Sequence, residues 1–211
     1  MPELPQEVTH RLMEEYNLSE DVALVLTSSH PKVVQFYEET VHFTTQQQQQ
    51  QQHTENNDKI NNISLMVANW LCNDVIALMK EHNDSDYPRI TPTQLGSLIV
   101  MILEEVVSTT MAKNILQLLY ISDTHQKPAL IATEKGWKLI TDTYELETLC
   151  KEIIEQHPKQ LDQFRQGGKY IRKMEKFFLG KVMAHTRGNA HPQKLNNALL
   201  KVLNEIESND N

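Results

Sequence analysis

Apolar residues recur every third or fourth position along most of this chain, the spacing that gathers them on one face of an α-helix. Leu95, Leu98, Ile99, Ile102 and Val106 form one such stripe. Its start is marked by Thr91 and Gln94, the two halves of a capping box, with Pro92 at the first helical position, where its missing N–H has no partner to lose. Asp142 and Glu145 repeat the capping pattern ahead of Leu146, Leu149, Ile153 and Ile154. Pro158 opens a helix carrying Leu161 and Phe164, and His191-Pro192 opens another carrying Leu195, Leu199, Val202 and Ile206. Period-two alternation of Val and Ile is missing and only six glycines occur, so the pattern predicts an all-α protein.

Two breaks divide the series. Residues 44–62 hold the glutamine run Gln46–Gln52 among polar neighbours, too little apolar surface to offset the entropy of ordering, and are expected to form a disordered insertion. Ser122 to Thr141, passing Pro128 and Gly136, is expected to be the domain junction. The prediction is a helical bundle over 1–128 and a smaller helical tail domain over 129–211.

Apolar runs are interrupted by polar residues too often to span a bilayer, and the acidic start of the chain (Glu3, Glu7, Glu14, Glu15) matches neither a secretory signal nor a transit peptide. Cys72 and Cys150 stand outside any CxxC or Cys/His spacing, which reads as two buried thiols. The nine histidines form no H-E-x-x-H, so neither metal nor hydrolytic chemistry is expected. Asn69 and Trp70 are assigned to the core.

Charge changes the picture. Between Arg165 and Lys201 there are nine Lys and Arg against a single acidic residue, Glu175, a balance of plus 8, while the rest holds 11 against 27, minus 16. A basic segment on an acidic protein points to a polyanionic partner, nucleic acid before membrane; the plain alternative is a solvated helix face. Lys169, Arg172, Lys173 and Lys176 follow helical spacing about 180° from Ile171, Met174, Phe178 and Val182, so they are expected to face outward while the apolar set closes a small core. Gly167 and Gly168 precede this helix and allow backbone to approach a phosphate. Lys181 and the pair Arg187-Gly188, the latter expected in a flexible loop, complete the candidate phosphate-binding set.

Leu4-Pro5, Glu15-Tyr16-Asn17-Leu18-Ser19, Ala68-Asn69-Trp70-Leu71, Ile90-Thr91-Pro92, Ala112-Lys113 and Glu134-Lys135-Gly136, followed by Phe164-Arg165, Gly168-Lys169, Phe177-Phe178-Leu179-Gly180, Thr186, Gly188, Ala190 and Pro192, resemble in order the C-terminal half of the B subunit of glutamyl-tRNA(Gln) amidotransferase, including its YqeY-type tail. The resemblance runs from Leu4 to Leu203. It implies a tRNA-contacting tail, partner subunits in a hetero-oligomer, conversion of misacylated glutamyl-tRNA(Gln) to glutaminyl-tRNA(Gln), and a mitochondrial location in a eukaryotic source. It also implies that ATP and magnesium bind an N-terminal cradle domain with no counterpart in this sequence. No catalytic, cofactor or metal residue is carried over, and the chain alone is expected to be inactive. Three positions depart from the family pattern: Glu105 where a turn glycine stands, which is expected to extend or recast that junction, Lys176 in place of Gly, and His191 in place of the Asn that caps the last helix.

Two readings follow. The preferred one is a non-catalytic tRNA-binding part of the amidotransferase; the other is a helical adaptor that binds protein, with the basic tail serving solubility.

Overall fold

The computed structural model describes residues 3–29, 31–51, 57–84, 87–122 and 126–209. It is all-α: among the described residues the only extended pairing is an isolated parallel bridge between Ile140 and Ala190. The chain divides into two compact units, 1–136 and 137–211.

The first unit holds α1 (Pro5–Tyr16), α2 (Glu20–Ser29), α3 (Pro31–Gln51), α4 (Asn57–Trp70), a π-helical turn (Leu71–Val75), α5 (Ile76–Glu81), α6 (Pro92–Leu103), α7 (Thr109–Ser122) and α8 (Pro128–Lys135). Its centre is the packing of α3 on α6. An added Cβ at Gly96 would lie 2.5 Å from Phe43 Cδ1 and 2.9 Å from Thr44 Oγ1, so glycine is what lets the two helices approach this closely. Helix α6 starts as expected: the Thr91 hydroxyl accepts from the Gln94 amide at 3.2 Å and the Gln94 side chain accepts from the Thr91 amide at 2.9 Å. The π-helical turn re-aims the helical face so that Leu71 and Val75 both enter the core, continuing from Val67, Ala68 and Trp70.

Several expectations change here. Residues 44–51 are not an insertion but the last turns of α3, and 57–62 begin α4; 52–56 lie outside the described residues. The physical reason is that Thr44, fully buried, and the half-buried Gln47 and Gln48 continue the inner face of α3, so the glutamines extend a helix already anchored by Phe36, Tyr37 and Val41. The junction falls after Gly136 instead of residue 128, because α8 packs on α6 and α7, and Gly136 (φ 65°) supplies the left-handed C-terminal turn that ends it. Glu105 does not recast its junction. It takes the left-handed conformation itself (φ 55°), with Val106 N–H donating to Met101 O at 2.9 Å and Glu105 N–H to Ile102 O at 3.0 Å, a Schellman turn built without glycine.

Trp70 is in the core, 5 % exposed, but Asn69 faces solvent. One continuous helical run, Asn62–Glu81, is long and apolar enough to cross a membrane by length and composition, contrary to the expectation from the sequence; 56 % of its apolar window is buried inside the unit, as in the core helix of a globular domain.

The second unit holds α9 (Thr143–Glu155), α10 (Pro158–Arg165), α11 (Lys169–His185) and α12 (Pro192–Asn209). Leu146, Cys150, Ile153 and Ile154 of α9 pack with Phe164, with Met174, Phe178 and Val182 of α11, and with Leu195, Ala198, Leu199, Val202 and Leu203 of α12. The Asp142 carboxylate caps α9 by accepting from the Glu145 amide at 2.8 Å. His191 also serves as a cap: its Nδ1 accepts from the Lys194 amide at 3.4 Å, in the place where the family pattern has an asparagine. Both cysteines are unbridged; Cys150 is buried as expected but Cys72 is only half-buried, and burial pushes each thiol up to about 11.

Candidate functional site

Helix α11 divides its surface sharply. Met174 (3 % exposed), Phe178 and Val182 (both 0 %) are locked into the core, which fixes the rotation of the helix about its axis. Lys169, Arg172, Lys173 and Lys176 are consequently all exposed on the opposite face. From Lys169 to Lys176 the row covers about two helical turns, roughly 10 Å along the axis. Among the described residues, Arg172, Lys173 and Lys176 form no ion pair, so their charge is directed at solvent.

Lys181 does not belong to this stripe. Twelve residues after Lys169, it lies about 120° round the helix, and its Nζ stands 5.4 Å from the centroid of the Phe177 ring. Lys169, at the start of the stripe, similarly stands 5.4 Å from the Tyr170 ring. Ahead of α11, Gly167 (φ 71°) and Gly168 (φ 60°) are both left-handed with open space where a Cβ would be, so the chain can be approached closely at this helix N-terminus.

Arg187 and Gly188 are brought to the other end of α11, and not in a loose loop. Arg187 N–H donates to Ala184 O at 3.1 Å and Gly188 N–H to Met183 O at 2.8 Å, a Schellman turn with left-handed φ at both residues (53° and 79°). Arg187 is exposed in this conformation, which costs a non-glycine residue about 1 kcal/mol or more. Ile140 N–H donates to Asn189 O at 2.7 Å and His191 N–H to Ile140 O at 3.0 Å, so the bridge sets the segment carrying exposed Lys138 beside the Arg187 turn. Sequence reasoning missed Lys138, since no local pattern announces a pairing between segments this far apart in the chain.

The rest of the basic segment is partly neutralised. Lys201 Nζ donates to Glu147 Oε1 at 2.7 Å, and Arg165 pairs with Asp162 at 3.4 Å. Among the described residues no group of three or more His, Cys, Asp or Glu side chains is arranged to hold a metal ion.

Similarity to known proteins runs along most of the chain. A family described as "GatB domain" matches residues 53–203. The B subunit of the aspartyl/glutamyl-tRNA(Asn/Gln) amidotransferase of Thermotoga petrophila is 32 % identical over 204 residues, 96 % of this chain and 38 % of the relative. That of Nitrosococcus oceani is 34 % identical, with the same shares. The B subunit of the mitochondrial glutamyl-tRNA(Gln) amidotransferase of Phytophthora infestans is 31 % identical over 209 residues, 97 % of this chain and 33 % of the relative. The chain therefore spans well under half the length of these relatives.

Proposed function

Because the chain belongs to the GatB-domain family, we propose that it forms part of the B subunit of a tRNA amidotransferase and that residues 137–211 bind tRNA. The observation that carries this reading is the stripe Lys169, Arg172, Lys173 and Lys176, four exposed cations held in one row by a helix whose other face is buried. Such a row neutralises consecutive phosphates and gains affinity by releasing their condensed counterions. Arg187 and Lys138, at the far end of α11, add phosphate contacts beyond the stripe.

The names of the relatives support the wider assignment: a role in translation, in making glutaminyl-tRNA(Gln) from glutamyl-tRNA(Gln), within a hetero-oligomer of amidotransferase subunits. In a eukaryotic source we place it in the mitochondrion, as the Phytophthora relative is named. ATP- and magnesium-dependent activation of the glutamyl carboxylate is assigned to the part of the subunit that these residues do not include, and the role of the present residues is to hold tRNA.

Replacing Lys169, Arg172, Lys173 and Lys176 together with Glu tests the reading. Acidic side chains in the N-terminal half of α11 favour the helix dipole, so the fold should persist. Affinity for tRNA should fall well over tenfold. Unchanged affinity would remove α11 from tRNA recognition and favour the protein-binding adaptor.

A further inference from the structure

We propose that the α1–α2 hairpin, with the crevice it forms against the start of α3, docks a protein partner whose contact surface sets aliphatic side chains among lysines and arginines. This surface belongs to the first unit and is separate from the residues of 137–211 assigned to tRNA.

Helix α2 is apolar on two sides but covered on one. Val22 to Leu26 are consecutive apolar residues, of which Ala23 and Leu26 are fully buried whereas Leu24 and Val25 are 47 % and 42 % exposed. Each of the exposed pair lies about 130° round the helix from the midline of the buried pair, so rotating α2 within the unit could not cover both pairs at once. A helix apolar all round is normally buried all round, and an apolar side left open and edged by charge is the mark of an interaction surface.

Residues 17–19 join α1 to α2, and the two helices run antiparallel with Thr9 Oγ1 and Thr27 Oγ1 3.1 Å apart. Away from this connection, α1, α2 and α3 border a crevice of about 290 Å³ whose apolar lining is Pro5, Val8 and Val34. Val34 is 7 % exposed and so lies at its base, while Leu4, between the lining residues Glu3 and Pro5, is 64 % exposed. The crevice offers an inserted aliphatic side chain an apolar seat, and Leu4 gives the same partner a second contact at the mouth.

Charge selects the partner. Residues 1–39 hold eight Asp and Glu against Arg11 and Lys32. Arg11 donates to Glu3 at 3.1 Å and to Glu38, and lies 3.6 Å from Glu15. Three carboxylates therefore share one guanidinium beside the crevice, minus 3 against plus 1, and the arginine is too fully engaged to recruit a partner's carboxylate. Glu20 and Asp21, at the start of α2, are exposed and form no ion pair among the described residues. Nucleic acid or an anionic membrane is repelled by this surface, whereas Lys and Arg flanking aliphatic residues match both its charge and its apolar seats.

The test uses the full chain and three fluorescent helical peptides of about 14 residues, long enough to span α2. One carries leucine at i, i+3 and i+4 spacing with lysine elsewhere; the second has glutamate for lysine and the third serine for leucine. The Leu/Lys peptide should bind, and each of the other two should bind at least about tenfold more weakly. Leu4→Ser with Leu24→Ser and Val25→Ser, all at exposed positions, should weaken the Leu/Lys peptide at least about fivefold at an unchanged unfolding midpoint. Glu3→Gln with Glu20→Gln and Asp21→Asn should weaken it at low salt and leave a shallower salt dependence. No binding of the Leu/Lys peptide, equal binding of either control peptide, or unchanged affinity in the serine variant would overturn the proposal. So would self-association of the chain alone that the serine variant abolishes, which would give the face to a second copy. Affinity for tRNA should stay within about twofold of wild type in the serine variant, so the two readings fail separately.

Discussion

Lys201 on α12 donates to Glu147 on α9 across 2.7 Å, and that pair withdraws the last cation of the basic segment from any outside partner. Glu147 has only 13 % of its side chain exposed, while Lys201 also lies 3.9 Å from Glu205. The segment from Arg165 to Lys201 is therefore not a uniform basic patch: its ends are tied to carboxylates, whereas Arg172, Lys173 and Lys176 on α11 form no ion pair among the described residues. Lys201→Ala should accordingly change tRNA affinity by less than about twofold, against well over tenfold for the four-residue reversal on α11, in the same titration.

At the end of α6, Glu105 occupies a conformation that suits glycine, with a left-handed φ of 55°. Glu105→Gly should stabilise the protein by about 1 kcal/mol, the relief of the Cβ clash less the extra freedom glycine has when unfolded. Urea unfolding measures this directly; a loss of stability would mean that the carboxylate contributes more than the turn costs.

Gly96→Ala should act in the opposite direction. Alanine favours an isolated helix by about 1 kcal/mol, but here its methyl would be driven into the Phe43 ring and the Thr44 hydroxyl, which is itself bonded to Thr40 O at 2.7 Å. Overpacking of this kind should win and cost about 2 kcal/mol, read as a lower unfolding midpoint.

Asp84 gives a pH signature. Arg89 donates to its carboxylate at 2.8 and 3.1 Å and the buried Tyr120 hydroxyl donates at 2.8 Å, and these bonds, Arg89's foremost, hold the carboxyl below its usual range. A depressed carboxyl stabilises the fold above its unfolded value, about 3.9, and loses that contribution as pH falls through the lower folded value. Wild type should thus exceed Asp84→Asn in stability at pH 6, with the gap closing below about pH 4. A gap that does not change with pH would show that the charge on Asp84 is irrelevant.

Much of this architecture was legible because it is written in local chemistry. Thr91 with Gln94, Asp142 with Glu145, and prolines 92, 158 and 192 each mark a helix start that the structure contains, and the two faces of α11 follow from 3.6-residue spacing alone. What was not legible depends on tertiary neighbours. Glutamines carry no hydrophobic period, so nothing local shows that Thr44 and Gln48 extend the inner face of α3. The Gln48 Nε2, buried with no hydrogen-bond partner, illustrates how poorly that continuation reads as core. Glu105 and Arg187 hide their turns for a related reason: each is set by Schellman bonds from flanking residues and not by a glycine at the position. Within the candidate site, the stripe was readable, but the placement of Lys181 over Phe177 and the bridge that brings Lys138 beside Arg187 were not, since each depends on where a side chain or a distant segment finally packs.

The central claim is that the α11 stripe binds tRNA through its phosphates, and the salt dependence of affinity tests it most directly. With three or four phosphates neutralised, log affinity of the wild-type chain for tRNA should fall against log salt with a slope of about minus 3. The chain with Lys169, Arg172, Lys173 and Lys176 replaced by Glu should show a markedly shallower slope at the same unfolding midpoint. Equal slopes in the two proteins, with both folded, would contradict the account.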